Sequence, residues 1–288
     1  MIEFSFEGIG TKWQIEIYQE LTKESEEKLF SSIKNRIDIF DKDYSRFRDD
    51  SLVTKMSKEI GIYNLPSDAD PMMSLYYDLY KRTDGLFTPL VGNLLSDAGY
   101  DAKYSLSQKK DLEIPPKWEE VMDYKFPKLN IKKPVILDFG AGGKGYLIDL
   151  VSKVIEENNI LKYCIDAGGD ILYKNDTPIR VGLENPKNFE EVIGLYPLTG
   201  GSICGSAGSR RKWGEFNHIM NPKTLTPATE IIAVWVVADI ALLADSIATC
   251  LFFVPAEILN SFYKFEYILV KADFSTEKSA DFKGELFS

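Results

Sequence analysis

From Lys12 to Ile17 polar and apolar residues alternate in TKWQIEIYQ, the period of a strand with one buried face. The period then lengthens. In SEEKLFSSIKNRIDIFDKDYSRF, Leu29, Ile33 and Ile37 recur at four-residue steps with Phe30 and Phe40 beside them, which predicts an amphipathic helix. DPMMSLYYDLYKRTDG predicts a second helix, with proline near its start and glycine at its end. Met72, Leu75, Tyr76 and Leu79 form its apolar face. Residues 101–133 turn polar and proline-containing, and predict a helical or loop excursion from the core. The core resumes with the strand-like VILDF, a helix from about Gly145 to Asn158, and a short strand in KYCIDAGGDILY. PIRVGLEN and IIAVWVVA predict further strands, and ALLADSIATCLFF and PAEILNSFYKF two late helices. Strands and helices mix without a regular βαβ rhythm, so the fold class is α+β rather than doubly wound.

Composition narrows the function classes. The chain has 288 residues, 44% hydrophobic and 27% charged, enough for one large domain or two small ones. A formal net charge of −10 gives no general basic footprint for nucleic acid. An anionic nucleotide would need a locally positive niche or a metal ion. Cys164, Cys204 and Cys250 lie far apart, without zinc-ligand spacing or a disulfide framework, and read as reduced structural thiols. No run approaches the roughly 20 apolar residues of a membrane span. The opening MIEFSFEGIG lacks the basic and apolar regions of a signal peptide. The sequence as it stands therefore reads as cytoplasmic, and a removed leader would leave the same sequence.

One cluster raises a chemical question. In PVILDFGAGGKGYLIDLVSKVIEENN, Gly140, Gly142 and Gly145 spell G-x-G-x-x-G between strand-like and helix-like residues, and Asp166 follows 21 residues after Gly145. That is the outline of a dinucleotide-binding fingerprint. Against it, the motif begins about 140 residues into the chain, its strand ends in the charged Asp138, and Asp166 leads into a second glycine cluster, AGGD. A Walker A loop fails because Asp138 stands where its first glycine belongs and Gly145 where its Ser or Thr belongs. The turn is either a tight strand-to-helix connection or a diphosphate site, where exposed N–H groups, a helix N-terminus and Lys144 would gather positive charge.

In ADSIATCLFF, Asp245 and Thr249 stand four apart on one predicted helix face. They are either hydrogen-bonded neighbours or two hard oxygen donors suited to Mg²⁺. The one histidine, His218, lies in the turn-rich NHIMNPKT, which excludes a multi-histidine metal site.

Taken together, these segments resemble the ApbE-type flavin transferases, the FAD:protein FMN transferases. GIGTKWQIEIY is similar to that family's opening M-G-T-x-W strand, SRFRDDSLVTKM to its S-x-Y-x-x-x-S segment, and DGLFTPLVGNLL to G-x-F-D-x-T-V-G-x-L. LDFGAGGKGYLID resembles D-L-G-G-x-x-K-G-Y-x-x-D, and DAGGDI the G-G-D-I that follows it. HIMNPKTLTP resembles H-I-I-D-P-x-T-G-x-P, and ADSIATCLFF resembles A-D-A-L-A-T-A-L-F. Seven motifs fall in the family's order across nearly the whole chain.

The resemblance implies one ApbE-like domain over residues 1–288, with a T-fold-like mixed sheet core and packed helices. It implies that Asp138 and Lys144 contact FAD, and that the Ala141 carbonyl, Asp245 and Thr249 ligate Mg²⁺. Further flavin contacts carry over onto Ile9, Phe47, Leu86, Phe87, Thr88 and Met220. The implied reaction moves FMN from FAD onto a threonine of an acceptor flavoprotein and releases AMP. His218 is the candidate general base, with an ordinary pKa near 6.5. The sequence departs from the family at several places. Ile9 replaces a methionine, Phe47 a Tyr or Trp, Thr88 an aspartate, and Ser206 and Ala207 an acid and an aromatic, while Arg210 and Arg211 add charge. Asn221 and Leu225 replace the Asp and Gly of the D-P-x-T-G turn. Three other functions remain open at this stage: an FAD pyrophosphatase in which water attacks, a non-catalytic FAD-binding protein, and a nicotinamide-type Rossmann enzyme.

Overall fold

The computed structural model describes residues 1–287. β1 (Ile2–Gly8) and β2 (Thr11–Ile17) form an antiparallel hairpin, and the alternation in β2 buries Trp13, Ile15 and Ile17. α1 (Lys23–Tyr44) begins at Thr22, whose hydroxyl accepts the Ser25 N–H, and it buries Leu29, Ile33, Ile37 and Phe40. α2 (Leu52–Met56) and β3 (Gly61–Asn64) lead into α3 (Ala69–Arg82). There Met72, Tyr76 and Leu79 are buried as their spacing predicts, and Leu75 is half-buried. A single 3₁₀ turn at Pro89–Val91 then runs into α4 (Gly92–Asp97).

The polar excursion divides in two. Residues 101–117 contain no helix or strand and are mostly exposed. α5 (Trp118–Val121), β4 (Met122–Lys125) and β5 (Lys128–Ile131) then return to the body, with β5 between β3 and β4. Trp118, Val121, Met122, Leu129 and Ile131 are buried. The strands are only four residues long, so their charged outer faces mask the short buried alternation in the sequence. VILDF also differs from its strand-like reading. Residues 134–139 join no sheet. Their backbone is satisfied elsewhere: Ile136 N–H donates to the Asn93 side chain at 2.9 Å and Asp138 N–H to the Pro89 carbonyl at 2.8 Å.

α6 (Gly143–Glu157) follows. What the sequence suggests as one strand is two, β6 (Tyr163–Ala167) and β7 (Asp170–Lys174), joined by Gly168 and Gly169 at φ +66° and +94°. β8 (Ile179–Asn185) and β9 (Asn188–Leu198) make a long hairpin, followed by β10 (Gly201–Ala207) and the two-residue strands β11 (Lys212–Trp213) and β12 (Phe216–Asn217). β13 (Ile231–Ala238), α7 (Ala241–Cys250), α8 (Glu257–Asn260), β14 (Glu266–Lys271), β15 (Thr276–Lys278) and β16 (Glu285–Leu286) complete the chain.

The central sheet has the order β1-β2-β6-β7-β10-β13-β14-β15. Every paired strand in it is antiparallel, which bears out the α+β class and leaves no βαβ unit for a Rossmann fold among the described residues. β13 explains its unbroken apolar run. Val234 and Val236 face the large core formed with α1, α3, α6 and α7, whereas Ala233, Trp235 and Val237 face a second core roofed by β8 and β9. The helical side of this sheet is where α6 and α7 meet.

Candidate active site

The glycine cluster is first a packing device. A Cβ on Gly145 would stand 2.2 Å from the Ala241 carbonyl oxygen and 2.7 Å from the Asp245 Cβ. One on Gly142 would stand 2.2 Å from the Ser246 hydroxyl oxygen. Only glycine lets α6 approach α7 this closely. The Gly145 N–H, one of the amides left unpaired at the start of α6, then donates to Asp245 Oδ2 at 2.8 Å. One turn further along α7, Thr249 Oγ1 donates to the Ala141 carbonyl at 3.3 Å. A carboxylate, a hydroxyl and a backbone carbonyl therefore gather where the turn faces α7. Asp166 is used locally: its Oδ1 accepts the Gly169 N–H at 2.8 Å and braces the β6–β7 turn.

Two ion pairs flank this point. Asp138 Oδ1 accepts the Gly140 N–H at 2.7 Å, while Oδ2 accepts from Arg46 Nε. The Arg46 guanidinium lies 4.3 Å from the Phe47 ring centre and 5.0 Å from that of Tyr100. Lys144 pairs with Asp170, which is fully buried and whose other oxygen accepts the Gly205 N–H at 3.0 Å. Neither Arg46 nor Asp170 stands out in the sequence as a site residue. The S-R-F and G-G-D segments that carry them were the available signal.

Burial raises the Asp245 pKa above the ordinary carboxylate range, and the Lys144 charge and the Gly145 N–H oppose that rise. A buried acid held in this way is suited to a cation partner. The donor set fits a hard divalent ion such as Mg²⁺, since all three atoms are oxygens. Among the described residues no group of three or more His, Cys, Asp and Glu is assembled, so a metal here would depend on the Thr249 hydroxyl and the Ala141 carbonyl. His218 departs from its ordinary value. Burial, and then the nearby Arg211 charge, lower its pKa to about 4, and its Nδ1 is buried without a partner among the described residues. It is therefore neutral across the physiological range.

These groups line one cleft of about 940 Å³. Ile9, Phe47, Leu86, Phe87, Thr88, Asp138, Ala141, Lys144, His218, Met220, Asp245 and Thr249 all border it. They arrive from the β1–β2 turn, the end of α1, the 3₁₀ turn, the α6 entrance, the loop after β12 and the face of α7. An aromatic wall of Phe47, Tyr100 and Trp213 forms part of its lining. Tyr100 and Trp213 stack with ring centres 5.5 Å apart. Arg210 and Arg211 stand at the cleft as well, and Arg210 pairs with Glu184 at 2.5 Å.

The profile of the ApbE family matches residues 9–268. This chain belongs to the ApbE family. A Rhodobacter capsulatus protein named FAD:protein FMN transferase is 28% identical over 60% of this chain, a match spanning 36% of that relative's own length. The Escherichia coli (strain K12) protein of the same name is 22% identical over 97% of this chain and 88% of its own. The solved structure of the flavin transferase ApbE from Vibrio cholerae shares the fold with a TM-score of 0.82 at 18% identity, covering 98% of both chains.

Against the ApbE pattern, four departures can be placed in the structure. Leu225, where the family turn has glycine, adopts φ +61°, a left-handed conformation that costs a branched side chain more than glycine. Asn221, in place of aspartate, still accepts the Lys223 N–H at 2.9 Å and the Thr224 N–H at 3.2 Å, so the turn is kept. Ile9 also sits at positive φ, +45°, in the two-residue β1–β2 turn. Thr88, in place of aspartate, caps the 3₁₀ turn by accepting the Leu90 N–H at 3.2 Å.

Proposed function

We propose that the protein is a Mg²⁺-dependent FAD:protein FMN transferase, which joins FMN through a phosphoester to a threonine of an acceptor flavoprotein and releases AMP. Membership of the ApbE family supports the flavin chemistry. One observation carries the finer reading: the oxygens of Ala141, Asp245 and Thr249 and the Lys144 ammonium border the same cleft as an aromatic wall. That cleft, at about 940 Å³, is large enough for a dinucleotide.

In this reading the threonine oxygen bonds to the phosphorus on the FMN side of FAD. The bond from that phosphorus to the bridging oxygen breaks, and its electron pair leaves with AMP. A Mg²⁺ ion held by Asp245, Thr249 and the Ala141 carbonyl would supply neutralisation of the diphosphate charge. Lys144 adds a second positive charge, fixed in place by Asp170. His218, neutral and with a free Nδ1, is the group to take the threonine proton. Its basicity is low in the protein alone, and an anionic diphosphate nearby would raise it by favouring the charged imidazolium.

The test is to incubate the protein with FAD in Mg²⁺ or EDTA and follow AMP by chromatography. Mg²⁺-dependent AMP formation is expected. Bound FAD that yields no AMP, with Mg²⁺ and a threonine-bearing acceptor present, would contradict the reading.

A further inference from the structure

Arg46 carries more binding capacity than its ion pair uses. Its side chain is 4% exposed, and its Nε is committed to Asp138. Its Nη2 is buried with no hydrogen-bond partner among the described residues. A guanidinium donor left unpaired at that depth is destabilising unless something accepts from it. Arg46 and Asp138 both border the cleft, beside the aromatic wall of Phe47 and Tyr100. Asp138 uses one lone pair on each oxygen, for Gly140 N–H and for Arg46, and each oxygen can accept again.

The pair thus presents a donor and an acceptor side by side at the edge of an aromatic surface. Its chemical complement is a planar ring whose edge carries a carbonyl next to an N–H. The imide edge of an isoalloxazine has that pattern, with N3–H between two carbonyls. Adenine carries an acceptor beside a donor as well, N1 or N7 next to its exocyclic amine, and the ADP probe below separates the two rings. Resting on the flavin reading above, we propose that Arg46 and Asp138 together read the imide edge of the flavin ring. Arg46 Nη2 donates to a ring carbonyl, and Asp138 accepts from N3–H. Arg46 is then a specificity-determining contact in addition to a structural partner of Asp138.

The experiment is equilibrium binding in EDTA, where FAD is not turned over, with three probes: FAD, N3-methyl-FAD and ADP. Wild-type protein is expected to bind FAD at least about tenfold tighter than N3-methyl-FAD, the range for losing a hydrogen bond to a charged group. Arg46→Lys keeps the charge beside Asp138 but removes the second nitrogen. It is expected to weaken FAD about tenfold and leave ADP unchanged, with the melting temperature checked in parallel. Equal binding of FAD and N3-methyl-FAD would overturn the imide reading alone. Equal losses for FAD and ADP in Arg46→Lys would show a purely structural role and overturn it too. Failure of wild-type protein to bind FAD at all would instead remove the function reading on which the inference rests.

Discussion

Replacing Gly145 with alanine separates packing from ligand binding at the glycine turn. Alanine in a helix is favoured over glycine by up to about 1 kcal/mol. At this position that gain is outweighed, because the new Cβ would stand 2.2 Å from the Ala241 carbonyl oxygen and 2.7 Å from the Asp245 Cβ, neither of which is a flexible side-chain tip. Relieving those contacts forces α6 from α7 by roughly 1 Å, and overpacking of this kind costs about 1–3 kcal/mol. A net loss of about 1 kcal/mol remains, which lowers the melting temperature by roughly 2 °C in a chain of 288 residues. The same movement stretches the Gly145 N–H bond to Asp245, 2.8 Å in the native protein, so Mg²⁺-dependent turnover falls as well. Gly143 is the internal control. A Cβ there meets Phe139 at 3.4 Å and Phe40 at 3.6 Å, ordinary contact, so Gly143→Ala is expected to be neutral or slightly stabilising. Thermal unfolding of the two variants decides the matter. A Gly145→Ala protein as stable as wild type that has lost FAD binding would refute the packing argument and return the glycine to a phosphate-cradling role.

Asp245→Ala is expected to stay folded but lose Mg²⁺-dependent AMP formation, and unchanged turnover would sink the metal assignment. His218→Ala is expected to slow AMP release by about 10²–10⁴-fold with FAD binding intact. Burial holds the imidazole at about 4, so the acid limb of kcat/KM that His218 contributes lies near pH 4. A limb near pH 6.5 that vanishes in His218→Ala would contradict that environment. Asp149 accepts the Ala241 and Leu242 N–H groups at 2.9 and 2.8 Å, and burial raises its pKa from 3.8 to about 6. Between those values the folded state holds the extra proton, so stability declines as pH rises through the window, by about 3 kcal/mol for a shift of this size. Denaturant titrations from pH 4 to 6.5 should show that slope in wild type and a flatter one in Asp149→Asn; identical slopes would remove Asp149 as its source.

Periodicity carried the long elements. The four-residue steps in α1 and the apolar face of α3 are written in the chain because one face of each helix meets the core. Short strands were less legible. β4 and β5 are four residues each, too short for alternation to rise above the charged residues around them. β1 went unread because IEFSFEG pairs along only one edge and buries little besides Phe4. At the cleft, residues quoted within motifs could be located from the sequence, but their partners could not. The Arg46–Asp138 pair joins residues 92 apart, and the contact between Gly145 and Asp245 joins residues 100 apart. Such pairings are set by how α6 crosses α7 and α1, which no local pattern encodes. The low basicity of His218 likewise follows from burial by distant segments.

Transfer itself is tested most directly by mass spectrometry of a threonine-bearing acceptor flavoprotein after incubation with this protein, FAD and Mg²⁺. The expected result is an acceptor heavier by one FMN phosphoester on that threonine, with an equal amount of AMP, both lost in EDTA and in Asp245→Ala. AMP and free FMN formed together, with every threonine unmodified, would contradict the transferase and leave a hydrolase.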